Sequence, residues 1–129
     1  MVIEHVAFQH PDPAAAAEWY SKHLGLRIAR ASTGPAQARF LADSAGRTVL
    51  EIYNNAAAPV PDYPAQSPLV LHVAFLSADL AADTARLVAA GAKAVEAPAA
   101  TPSGDTLAML RDPWGIPLQL VSRAKPLVD

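Results

Sequence analysis

Apolar and polar residues alternate from Val2 to Phe8, the period-two pattern of a strand with one covered face. Asp12-Pro13 then supplies an N-cap and a proline suited to the first helical position. The run Ala14 to Leu24, closed by Gly25, predicts a helix. Leu26–Ala31, Gln37–Ala42 and Thr48–Tyr53 predict three further strands. Ser32-Thr33-Gly34-Pro35 and Asp43 to Gly46 supply the turns between them. The pattern then starts again. Val70–Leu76 predicts a strand, about Asp79 to Ala90 a helix stopped by Gly91, and Ala92–Glu96, Thr106–Arg111 and Ile116–Ser122 three more strands. Each half reads β-α-β-β-β.

Direct self-similarity supports this duplication. His5-Val6-Ala7-Phe8 recurs as His72-Val73-Ala74-Phe75, and Val49-Leu50-Glu51-Ile52 corresponds to Pro117-Leu118-Gln119-Leu120. The second of each pair of segments follows a turn, Asp43-Ser44-Ala45-Gly46 in one half and Asp112-Pro113-Trp114-Gly115 in the other. The expectation is a single domain over 1–129, with a first module over about 1–54 and a second over about 69–123. Pro59, Pro61, Pro64 and Pro68 make the intervening 55–68 a proline-stiffened surface linker, since prolines disfavour helices and central strands.

Composition narrows the function. The 129 residues are 52% hydrophobic and 17% charged, enough for a real core and far from disordered composition. Ten basic against twelve acidic residues leave a net charge of −2, which argues against a nucleic-acid partner. No apolar run is long enough to span a membrane, and the polar start does not read as a signal peptide. The chain has no cysteine, so disulfides, thiolate metal sites and cysteine nucleophiles are excluded. A cytoplasmic protein is the expectation.

Strand alternation places the remaining polar chemistry. His5 shares a face with Ile3 and Ala7, opposite Val6 and Phe8, and His72 does the same in the repeat. Glu51 opposes Leu50 and Ile52, and Gln119 opposes Leu118 and Leu120. His5, Glu51, His72 and Gln119 are therefore expected on the face away from the helices, at equivalent positions of a duplicated unit. Two imidazoles, a carboxylate and an amide carbonyl make a divalent metal site. The ordinary alternative is hydrogen-bonded histidines and a solvated carboxylate. Trp19 and Tyr20 read as packing residues, His23 as a cation at a helix C-terminus and His10 as a solvated turn residue. Arg39, Arg111, Tyr53 and Trp114 are candidate substrate-binding residues: the arginines for an anionic group, Tyr53 on Glu51's face, and Trp114 in the turn before the last strand.

The duplicated plan, the His-Val-Ala-Phe strand openings and the ending Asp112-Pro113-Trp114-Gly115-Ile116-Pro117-Leu118-Gln119-Leu120 resemble the vicinal oxygen chelate superfamily. That superfamily includes glyoxalase I, methylmalonyl-CoA epimerase, fosfomycin-resistance proteins, extradiol dioxygenases and bleomycin-resistance proteins. The resemblance implies an α+β fold of two tandem βαβββ modules forming a curved mixed sheet around a central cavity. It also implies one divalent ion per site (zinc, nickel, cobalt, manganese or ferrous iron) on His5, Glu51, His72 and Gln119. Metal-dependent relatives usually carry glutamate where this chain has Gln119, so the carboxylate has moved to the pseudo-symmetric position, Glu51.

The implied activity is that of a lyase or isomerase acting on a small oxygen-rich metabolite. The metal polarises a carbonyl as a Lewis acid, and Glu51 moves a proton through a metal-stabilised enolate. The alternatives are a ferrous extradiol-type dioxygenase, for which His5, His72 and Glu51 form the ligand set, and a non-catalytic binding protein of the bleomycin-resistance type. Unpaired sheet edges predict a homodimer. By resemblance, each site joins His5 and Glu51 of one subunit to His72 and Gln119 of the other.

Overall fold

The computed structural model describes residues 1–47 and 49–128; Thr48, the predicted start of one strand, lies outside the described residues. The chain divides into two compact units, Met1–Pro61 and Asp62–Asp129, and the boundary falls inside the predicted linker. The first unit contains β1 (Val6–Gln9), α1 (Pro13–Leu24), β2 (Arg27–Ala31), β3 (Arg39–Ala42) and β4 (Val49–Tyr53). The second contains β5 (Val73–Leu76), α2 (Leu80–Ala89), β6 (Lys93–Ala100), β7 (Thr106–Arg111) and β8 (Pro117–Ser122).

Local chemistry explains the helix ends. The Asp12 carboxylate accepts the Ala15 N–H at 3.0 Å, and Asp79 caps α2 in the same way through the Ala82 N–H at 3.0 Å. Gly25 ends α1 at φ 72°, a left-handed conformation that costs a residue with a Cβ extra energy.

Each unit is a four-stranded mixed sheet with one helix, in the order β1-β4-β3-β2 or β5-β8-β7-β6. The outer strand β1 runs parallel to β4, and β5 runs parallel to β8. In the first unit α1 packs on β2, β3 and β4, burying Ala16, Ala17 and Tyr20 together with Leu41, Leu50 and Ile52 of the sheet. Glu51 between two buried neighbours confirms the alternation expected of β4. In the second unit α2 lies on β6, β7 and β8, and Leu87, Leu110 and Leu118 are fully buried.

Two expectations change. The first strand of each unit starts later than periodicity indicates, because the ladders open only at Val6↔Leu50 and Val73↔Leu118. His5 and His72 therefore stand immediately before their strands rather than inside them. The inter-module segment is also more than a surface linker. Tyr63–Ala65 forms a 3-10 turn in which Tyr63 is buried. Arg111 donates to the Tyr63 and Gln66 carbonyls at 2.8 and 2.7 Å, and to the Gly115 carbonyl at 2.9 Å.

Candidate functional site

Pairing register builds the site in the first unit. Ala7, Glu51 and Phe40 stand side by side across β1, β4 and β3. His5, two residues before Ala7, has its Nε2 3.2 Å from Glu51 Oε2 and its ring edge-on to Phe40, with centroids 5.7 Å apart. The side chains of His5 and Glu51 are 36% and 20% exposed, so a ligand can reach both. His5 Nδ1 contacts the Glu4 carboxylate. That hydrogen bond raises the His5 pKa above its ordinary value; burial opposes it, and the negative charges of Glu4 and Glu51 add to it.

The second unit repeats the register. Ala74, Gln119 and Met109 align across β5, β8 and β7 as Ala7, Glu51 and Phe40 do. His72 is exposed just before β5, and its Nδ1 lies 3.0 Å from the Pro68 carbonyl oxygen. Both histidines thus have an oxygen acceptor at Nδ1, which leaves Nε2 available to a ligand.

Two donors of one divalent ion, each about 2.1 Å away and subtending roughly a right to a tetrahedral angle, sit about 3.0–3.4 Å apart. The His5–Glu51 separation meets that test, and imidazole with carboxylate suits a borderline or hard cation. Among the described residues, no three histidine, aspartate or glutamate side chains are gathered into a metal-holding group. The first unit by itself therefore supplies a pair of donors.

The other candidates separate by face. Tyr53, two residues after Glu51 on β4, shares its face and is half-buried. Arg111 shares Gln119's face, being level with Pro117, but its guanidinium is engaged with the three carbonyls above. Trp114 is half-buried in the β7–β8 turn, where the buried Asp112 carboxylate accepts its N–H and that of Ile116 at 2.9 and 2.8 Å. Arg39 pairs with Ile52, one residue out of step with Glu51, and so belongs to the helix-covered face. Its Nη1 donates to the carbonyls of Ser32, Gln37 and Ala38 at 2.8–3.2 Å, which holds the β2–β3 connection closed.

Sequence reasoning overlooked residues that register brings to the Glu51 face. One extra residue in β2 between Ile28 and Arg30 places Arg30 level with Phe40, and Arg27 is level with Ala42. His10, expected in solvent, is fully buried: its N–H extends the β1–β4 pairing to the Tyr53 carbonyl at 2.8 Å, and its Nδ1 accepts the Asp12 N–H at 2.9 Å. An open cleft of ≈ 730 Å³ in the first unit lies among Asp12, Gln37, Asn54, Asn55 and prolines. None of the predicted site residues lines it, and its one carboxylate, Asp12, is used in capping α1.

No helix among the described residues is long and apolar enough to cross a membrane. No curated protein matches the chain. Among solved structures, a glyoxalase family protein from Bacillus cereus superposes with a TM-score of 0.78 at 16% identity, over 94% of this chain and 93% of that one. One from Enterococcus faecalis gives 0.68 at 27% identity, over 93% and 96%. A variant of glyoxalase I from Zea mays gives 0.76 at 20% identity, over 96% of this chain and 46% of that one. The sequence profile of one family matches residues 2–120, and with the duplicated βαβββ architecture it settles the classification. The chain belongs to the Glyoxalase/Bleomycin resistance protein/Dioxygenase superfamily.

Proposed function

We propose that this protein is a metal-dependent enzyme of the glyoxalase type, a lyase or isomerase acting on a small oxygen-rich metabolite. The observation that carries the reading is the 3.2 Å approach of His5 Nε2 to Glu51 Oε2 on the helix-free face of the first sheet. His5 and Glu51 are the ligands from the first module and His72 and Gln119 those from the second, with one zinc, nickel, cobalt, manganese or ferrous ion per site. When bound, the ion supplies Lewis-acid polarisation of a substrate carbonyl.

The protein's own contribution is proton movement. Glu51 is the only carboxylate among the four ligands, so it takes the substrate proton at a carboxylate oxygen. The Gln119 amide oxygen can coordinate but cannot accept a proton at neutral pH. Phe40 packs against the His5 ring and limits its rotation, and Glu4 engages the opposite nitrogen. Tyr53, Trp114 and Arg111 shape the approach of the substrate.

Metal content and turnover of Glu51→Gln test the reading. The variant should lose turnover and bind metal at least about tenfold more weakly, because a charged ligand is gone. Gln119→Glu should bind metal more tightly. Wild-type turnover in Glu51→Gln would remove the mechanism. His5, His72 and Glu51 are also the two-histidine, one-carboxylate set of a ferrous extradiol-type dioxygenase. Oxygen consumption by the ferrous protein with a catechol panel would favour that reading. Metal far below one equivalent, with no rise in Tm on adding divalent ions, would favour a binding protein of the bleomycin-resistance type.

A further inference from the structure

The β2 register carries an inference about the substrate. Arg27 pairs with Ala42 and Ile28 with Leu41, but then Arg30 pairs with Phe40 and Ala31 with Arg39. Ala29 is the additional residue. Without it, Arg30 would fall on the helix-covered face with Ile28; with it, the alternation resets and Arg30 joins the face of Phe40 and Glu51. Arg27 stands on that face too, level with Ala42.

The second unit has the same irregularity at the corresponding place. Lys93 pairs with Arg111, Ala94 with Leu110, and Glu96 with Met109, which aligns with Gln119. A bulge kept in both copies while its neighbours differ is a feature of the module rather than a local accident. The re-aimed position carries a guanidinium in one module and a carboxylate in the other.

We propose that Arg30, supported by Arg27, is the specificity-determining residue for an oxyanionic group of the substrate, deepening the enzyme reading above. Arg30 is exposed on the edge strand, two interstrand spacings or roughly 10 Å from the Glu51 position. An arginine side chain spans more than half of that distance. A short acid whose reacting end lies at Glu51 therefore brings a terminal carboxylate or phosphate into the guanidinium fork, which matches either group bidentately. Arg39 cannot serve: it lies on the other face with its Nη1 on backbone carbonyls.

The test compares 2-oxoglutarate with 2-oxopentanoate, which share the 2-oxo acid end and differ in the distal carboxylate. Affinities are measured by calorimetry for the wild type and Arg30→Ala, with zinc and after EDTA treatment; inorganic phosphate as competitor distinguishes a phosphate preference. The expected result is about tenfold preference for 2-oxoglutarate by the zinc protein, lost in Arg30→Ala while 2-oxopentanoate binding is unchanged. Affinities for both acids that are unchanged after EDTA treatment, with the preference lost in Arg30→Ala, uphold the anion site and overturn the metal reading alone. Equal binding of the two acids by the wild type, binding of neither, or a preference retained in Arg30→Ala overturns the proposal.

Discussion

His10 shows how far one side chain's role depends on its surroundings. Burial is the main reason its pKa falls from 6.5 to about 4, against a smaller upward pull from Asp12. Between those values the unfolded chain binds a proton that the folded one refuses. The contribution of His10 to stability is therefore present above pH 6.5 and lost as pH falls towards 4, with a slope of up to about 1.4 kcal/mol per pH unit. His5 has the opposite sign, because its pKa is raised: its contribution is present below 6.5 and fades above it. Asp83, hydrogen-bonded by Ser77 and Arg86, and Asp105, held by the Ala124 N–H and Arg123, are shifted down and act below pH 3.8. Urea midpoints at pH 5 and 7.5 should thus differ more for the wild type than for His10→Gln. An equal difference in both proteins would show that His10 titrates as it does in solution.

Among the elements, the glycines show that one conformation can have two different causes. Gly25 and Gly115 both have positive φ, 72° and 93°. A Cβ on Gly25 would meet nothing within 4 Å, so Gly25→Ala carries only the left-handed backbone penalty, about 1 kcal/mol. A Cβ on Gly115 would lie 2.5 Å from Pro64 Cγ and 2.7 Å from its Cδ, in the segment that Arg111 ties down. Gly115→Ala should therefore cost about 2–4 kcal/mol, combining backbone strain with overpacking. Denaturant unfolding of the two variants checks the ranking, and equal losses would mean that the Pro64 approach is unimportant. The glycine in Asp112-Pro113-Trp114-Gly115 is visible in the sequence. Its partner, 51 positions earlier, is a matter of packing.

At the scale of the molecule, each sheet has two outermost strands, β1 and β2 in one unit and β5 and β6 in the other. Large apolar side chains are exposed next to those edges: Ile3 and Val6 in the first unit, Leu69, Val70 and Leu76 in the second. Edges and apolar surface of this kind call for a cover, and the proposed homodimer would supply one. Light scattering should give twice the chain mass. The proposal that each metal site joins His5 and Glu51 of one subunit to His72 and Gln119 of another predicts a further result: mixing His5→Ala with His72→Ala subunits should restore some intact sites. A monomer binding metal with full affinity would end the shared-site proposal.

Much of this fold was written in local pattern. Aspartate caps, terminating glycines and period-two strands located both helices and the strands within a few residues, because each signal acts over one or two turns of chain. The repeat likewise made His5, Glu51, His72 and Gln119 equivalent before any contact was known. What the tertiary structure decided depended on partners distant in sequence. β4 and β8 set where β1 and β5 begin, so the histidines fall outside the strands. Pairing with β3 revealed the bulge that puts Arg30 on the face of Glu51, and the β3–β4 register puts Arg39 among the helix-facing residues. One inserted residue inverts a strand's facing, and its only signature is the register against a neighbouring strand. His10 is buried by the same kind of cause, a ladder continued one bond beyond β1 to Tyr53. Alternation along a strand is local physics, whereas the face it presents is fixed by pairing across the sheet.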